Sequence, residues 1–286
     1  FFATAGCIAR TGAKIVFVDI DPDTFNIDPD LIEEKITSKT KAIIPVHLFG
    51  QMAEMDKIMR IAKKHNLAVI EDGAQAIGAR YYSQDLGQEK SAGTIGTVGC
   101  FSFFPAKNLG CCGDGGAVIT DDAELAEKMK VLRMHGSKPK YYHHMVGGNF
   151  RLDTLQAAVL LEKLPYLEDQ HAGRGHNAKY YDEALKNIVK TPVIAKNCKS
   201  IFNQYTLRVE NREGLEAHLK SKNIGCAIYY PVSLHEQTCF EYLGYKTGDF
   251  PEWEKAQKEV ISIPIYTELN DEQKDYVIAA IKEFYQ

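Results

Sequence analysis

The chain has 286 residues, 45% hydrophobic and 25% charged, an ordinary globular composition with enough apolar content for a sizeable core. A net charge of -4 leaves no basic field, which excludes a typical nucleic-acid partner. No run approaches the roughly 18 apolar residues of a membrane helix, and no secretory leader pattern is visible, so a cytoplasmic enzyme is the expectation. Seven cysteines, an odd number outside any CxxC or zinc-ligand spacing, argue against a disulfide framework or a metal site and read mainly as small buried hydrophobes.

In chain order, Phe1 to Ala5 opens directly in an apolar helix, which suggests a chain truncated at its N-terminus. Ile15 to Val18 and Ala42 to Val46 read as strands, the second disturbed by Pro45. From Met52 to His65 the apolar residues Met55, Ile58, Met59 and Ala62 recur at helical spacing, and Asn66 is placed to close the helix in the left-handed region. Leu67 to Ile70, Val98 to Phe104 and Ala117 to Thr120 are three further strands, and Asp122 to Met134 is a helix. Alternating strands and helices predict an α/β fold, a mostly parallel sheet flanked by helices. Leu152 to Asn187 is mostly helical with a break at Pro165. A smaller α+β unit follows: a strand at Tyr205 to Val209, a helix at Glu213 to Ser221, a strand at Gly225 to Tyr230, and a last helix capped by Asn270 with Gln273 three positions on. The expected division is a large domain over 1–165 and a small C-terminal domain over 166–286.

Two segments carry chemistry. Asp72, in Glu71-Asp72-Gly73-Ala74-Gln75, follows a strand, where open α/β sheets gather ligand groups; Gln75 stands near enough to join it. The plain alternative is that Asp72 caps a following helix. Lys107 leaves the aromatic strand end Phe101 to Phe104 just before the glycine-rich turn Gly113 to Gly116. Partial desolvation there lowers an amine's pKa and favours the neutral form that attacks an aldehyde. A lysine for a Schiff base and an acid facing a pyridine nitrogen together describe a pyridoxal phosphate site. Ser102, five positions before Lys107, can offer its hydroxyl to the phosphate.

These segments, with Pro45 to Gln51, Gly147 to Asp153, Tyr229-Tyr230-Pro231 and Leu234-His235, resemble the signature blocks of the DegT/DnrJ/EryC1/StrS family along essentially the whole chain. The family comprises fold-type I, pyridoxal-phosphate-dependent sugar aminotransferases. The resemblance implies that Asp72 pairs with the pyridine nitrogen, Gln75 contacts the ring hydroxyl, and Ser102 binds phosphate. It further implies that Asn149 reaches the cofactor phosphate of the partner in a homodimer with shared active sites, and that His235 lies near the sugar. It places a phosphate-cradling turn and a ring-stacking aromatic in the N-terminal part expected to be missing. The expected reaction moves an amino group, from glutamate, to a nucleotide-linked keto-deoxy sugar. A dehydratase of the same family is the near alternative, but dehydrating members carry histidine in place of the lysine. A non-catalytic regulator or dimerisation fragment keeping the fold is the distant one. Plainer roles stand beside several of these: Asn149 as a turn residue, Arg151 and Asp153 in structural ion pairs at the helix start, His47 as a hydrogen-bonded strand-end histidine, and His143 with His144 in a solvated loop. The polar segment from Tyr82 to Ser91 reads as a loop that either shapes substrate choice or is an idle insertion.

Overall fold

The computed structural model describes all 286 residues. The chain opens with α1 (Phe2–Arg10), whose Ala5 is buried. Strand β1 (Ala42–Ile43) is followed by α2 (Met55–His65), which buries Met55, Ile58 and Ala62 almost completely, each large side chain contributing about 1.5–3 kcal/mol. Asn66 ends α2 at φ 52°, as a left-handed cap. Then come β2 (Ala68–Asp72), β3 (Arg80–Ser83), β4 (Gln88–Ser91), β5 (Val98–Ser102), β6 (Gly116–Ile119) and α3 (Ala123–Arg133). Two helices, α4 (Thr154–Lys163) and α5 (Leu167–Leu185), flank a short turn containing Pro165, where the missing amide hydrogen breaks the run as expected. The chain closes with β7 (Cys198–Lys199), β8 (Tyr205–Arg208), α6 (Arg212–Ser221), α7 (Pro251–Glu259), β9 (Val260–Ile263) and α8 (Asp271–Tyr285). The Asn270–Gln273 capping box of α8 is present in both directions.

The main sheet has the order β1-β2-β5-β6, with β1, β2 and β5 parallel and β6 antiparallel. Asp72 and Cys100 are register partners, so the carboxyl ends of β2 and β5 lie side by side. A core of 13 residues, from Ile32 to Ala92 with Ile201, backs this sheet; a separate 18-residue core over 178–281 holds α5, α6, α8, β8 and β9 together. Helix α5 bridges the regions, because Leu167 packs near Phe103 and Leu109 while Leu185 joins the C-terminal core. No helix is long and apolar enough to cross a membrane.

Four expectations change. Ile15 to Val18 forms no ladder: its alternating burial is that of an extended segment, but its neighbours are side chains, with Phe17 set among Phe240, Tyr245, Phe250 and Trp253. Gly225 to Tyr230 touches β9 only at Ala227–Ser262 and then departs toward the end of β2. Tyr82 to Ser91 lies in the β3–β4 hairpin rather than a loop, moored by Asp56, which accepts from Ser83 Oγ (2.5 Å) and Gln84 N (2.8 Å). Cysteines are less buried than expected, with only Cys111 fully enclosed and Cys7, Cys112 and Cys239 exposed.

Candidate active site

The site begins with a pair of adjacent carboxylates that the strand pleat sends to opposite faces. Glu71 points into the core, where it is 0% exposed. It accepts hydrogen bonds from His47 Nε2 (2.8 Å) and from the amides of Gly93 (2.8 Å), Ile95 (2.7 Å) and Gly96 (2.5 Å). Burial pushes this carboxyl up, but His47 and those amides more than offset it and hold it below its ordinary value. His47 is fully buried, and its Nδ1 accepts from Ala53 N at 3.1 Å, so the ring is the neutral Nε2–H form. This is the hydrogen-bonded strand-end histidine that the sequence suggested.

Asp72 takes the other face and stays partly accessible. Its Oδ2 accepts from the Thr4 hydroxyl of α1 at 2.6 Å and its Oδ1 from Ala74 N at 3.1 Å. No helix begins there, so the capping alternative falls. Each oxygen keeps a free lone pair for a further donor. Lys107 is reached through a tight turn, Lys107 N donating to Phe104 O at 2.9 Å. A Cβ at Gly110 would stand 2.4 Å from Pro105 O, so only glycine lets this loop fold back on itself. Burial holds the Lys107 amine below its ordinary value, partly countered by the nearby Asp72 charge. The two groups are therefore electrostatic neighbours in a half-buried setting.

Gln75 is 6% exposed and spans the site's side wall: its Oε1 accepts from Phe49 N (2.7 Å) and its Nε2 donates to the Tyr230 hydroxyl (3.2 Å). Burial pushes the Tyr230 phenol up to about 12, so it remains a neutral hydrogen-bonding group. Ser102 ends β5, two residues beyond the partner of Asp72, or about 7 Å along the strand. Its hydroxyl accepts only a long bond from Phe104 N (3.3 Å). Phe1 also belongs here, its ring 5.8 Å from that of Tyr230.

Two expected site residues stand apart. Asn149 is exposed, and its Oδ1 accepts from Arg151 Nε at 2.9 Å; the ion pairs expected of Arg151 and Asp153 at the helix start do not form. His235 is 3% exposed, packed at steep angles against Phe250 and Trp253 with Nε2 on Glu254 at 3.0 Å, so within one chain it is closed off from the Asp72–Lys107 group. His143 and His144 bond to the carbonyls of His135 and Lys138 in an exposed loop. Sequence reasoning missed Thr4, Phe1 and the partnership of Glu71 with His47. The hydroxyl in the first turn of an amphipathic opening helix was the available signal for Thr4, and adjacent acids at one strand end were the signal for Glu71.

The donor set fits pyridoxal phosphate: an acid with lone pairs to spare, a partly desolvated amine, a hydroxyl at the strand end and two aromatic rings at the mouth.

Comparison with known proteins agrees. The model of the DegT/DnrJ/EryC1/StrS aminotransferase family matches residues 1–282. A pleiotropic regulatory protein of Geobacillus stearothermophilus is 54% identical over 290 aligned residues, covering 100% of this chain and 76% of that protein. The UDP-2-acetamido-2-deoxy-3-oxo-D-glucuronate aminotransferase of Pseudomonas aeruginosa is 44% identical, covering 98% and 76%. Among solved structures, S. venezuelae DesV in complex with a ketimine intermediate superposes with a TM-score of 0.95 at 38% identity, covering 100% of this chain and 76% of its own.

Proposed function

The chain belongs to the DegT/DnrJ/EryC1/StrS aminotransferase family and is a pyridoxal-phosphate-dependent sugar aminotransferase; we propose that it moves an amino group from glutamate to a nucleotide-linked keto-deoxy sugar. What supports this reading is that Asp72 ends β2 alongside β5, that Lys107 stands in the turn just beyond β5, and that the Asp72 charge is felt at the half-buried Lys107 amine. When bound, pyridoxal phosphate supplies an aldehyde to an amine and a protonated ring that takes up electron density from the reacting carbon. Asp72, fixed by Thr4 and Ala74, holds the ring nitrogen with its remaining lone pairs. Ser102 would offer its hydroxyl to the phosphate, and Gln75, with one amide hydrogen on Tyr230, would offer the other to the ring hydroxyl. Phe1 and Tyr230, whose rings lie 5.8 Å apart, would stand at the mouth through which the cofactor ring enters. Lys107, held by burial toward its neutral form, takes a proton from the donor's carbon and later returns one to the sugar carbon.

The active unit is proposed to be a homodimer. Between residues 141 and 161, Tyr141, Tyr142, Val146, Phe150, Leu155 and Leu161 are each at least 67% exposed, an apolar density that marks an interaction surface. Asn149 sits inside this surface and would enter the partner's site from it.

A second reading, a regulator, is favoured by the name of the 54%-identical relative alone. The two are separated by titrating cofactor into the protein and assaying glutamate-dependent amino-sugar formation. We expect a visible absorbance band that Lys107→Ala removes, together with all amino-sugar product. Release of a deoxy sugar without nitrogen transfer would favour the dehydratase, and failure to bind cofactor would favour the regulator.

A further inference from the structure

Away from Asp72 and Lys107, a cavity of about 390 Å³ lies between α5, the turn at Gly78 and the segment from Ile194 to Phe202. His171, on α5, faces it. The imidazole is 5% exposed, yet neither ring nitrogen has a hydrogen-bond partner. Burial, with the nearby charges of Arg174, Lys199 and Arg80, lowers its pKa to about 4 against the pull of Glu168, so at neutral pH it offers one unused donor and one unused acceptor. Buried polar groups are nearly always paired, and one missing both partners calls for something bound. Gly78 keeps the space open for the ring: a Cβ there would stand 2.6 Å from His171 Cε1.

The charges around the cavity do not balance. Glu168 is matched by Arg80 at 3.4 Å. Lys199 forms no ion pair, and Arg174 spends its Nη1 on the carbonyls of Phe202 and Ile265 with no carboxylate partner. Arg80 and Lys199 are direct register partners on β3 and β7; Glu168 answers Arg80, which leaves the neighbouring Lys199 charge without a counter-ion. The Ser200 hydroxyl accepts from Phe202 N and keeps its own hydrogen free to donate. The wall is also preformed: Ile201 N bonds Gly50 O, Asn203 N bonds Phe49 O, and Asn108 Nδ2 bonds Ile201 O.

We propose that this cavity is a binding site for a small organic anion, whose carboxylate or phosphate oxygens take the Lys199–Ser200 side while His171 engages a neighbouring polar atom. Its volume is within the range of small-metabolite sites.

The test is two-dimensional nitrogen–proton NMR of the histidine rings on the full chain loaded with pyridoxal phosphate, which keeps the cofactor site occupied. His171 is assigned through His171→Asn, and malonate and inorganic phosphate are titrated at constant ionic strength against chloride. Expected is a saturable shift of the His171 nitrogens with malonate, phosphate or both at up to ~10 mM, and a Kd raised about tenfold by Lys199→Gln, an exposed change compatible with folding. The carboxylate is the recognised group if malonate alone acts, and the phosphate if phosphate alone acts. His171 signals that stay still with both anions, follow chloride equally, or titrate identically in Lys199→Gln overturn the site and leave a water-filled cavity. The readout is binding at His171, so a protein that bound the anion but made no amino sugar would sink the proposed function and leave this site standing.

Discussion

Replacing Glu71 by Gln tests the division of labour between the two adjacent carboxylates. The change conserves size but turns one acceptor oxygen into a donor. Oε2 serves His47 and Gly93, and Oε1 serves Ile95 and Gly96, so an amide retains two of these four bonds and turns its NH2 toward the other two donors. His47 cannot switch tautomer to help, because its Nδ1 already accepts from Ala53 N. Two buried donors left facing a donor cost about 1–3 kcal/mol each, so the expected loss is ~2–6 kcal/mol. Urea denaturation at fixed protein concentration, which keeps any subunit association constant, measures it as a fall in midpoint at unchanged m. The penalty also depends on pH. Glu71 is held below its ordinary value of 4.5, so its stabilisation is complete above that value and disappears as pH falls through the lower folded-state value. The gap between wild type and variant should therefore narrow in acid. A loss below ~1 kcal/mol at neutral pH would falsify the view that Glu71 is the structural member of the pair.

Tyr230→Phe deletes the acceptor of the Gln75 amide and is expected to lower kcat/KM by about tenfold with little change in melting temperature; an unchanged kcat/KM would remove Tyr230 from the site. In cofactor-free protein, Lys107 should be acylated at lower pH than the surface lysines, with half-modification below 10.5, and Asp72→Asn should move that point lower still by removing the charge that raises it. Peptide mass spectrometry after a pH series reads both, and a Lys107 that titrates with the surface lysines contradicts the desolvation argument. Sedimentation should find two 32.0 kDa chains associated, and Val146→Glu with Leu155→Glu should separate them and cut activity together; a monomeric wild type refutes the shared-site arrangement.

Much of this could be read along the chain because the relevant signals are local. The spacing of Met55, Ile58 and Ala62 fixed a helix, Asn66 and Asn270 marked helix boundaries, and Pro165 marked a break. Asp72 and Lys107 each announced themselves by following a buried strand. What pattern could not supply was pairing. Ile15 to Val18 alternates like a strand, but alternation reports burial of one face and says nothing about whether a neighbouring backbone is there to bond. Tyr82 to Ser91 is polar like a loop, yet part of the β3–β4 hairpin is anchored by the buried Asp56 of α2, 27 residues from Ser83.

The same limit decided the site. Sequence by itself determined which chemistry was on offer, because an acid and a lysine at strand ends are properties of short segments. Only the tertiary structure decided that Thr4 clamps Asp72 across 68 residues, that Tyr230 reaches Gln75 across 155, and that His235 is closed off behind Phe250 and Trp253. A hydrogen bond depends on angstroms between atoms, whereas the spacing along a chain constrains those distances only over a turn or two.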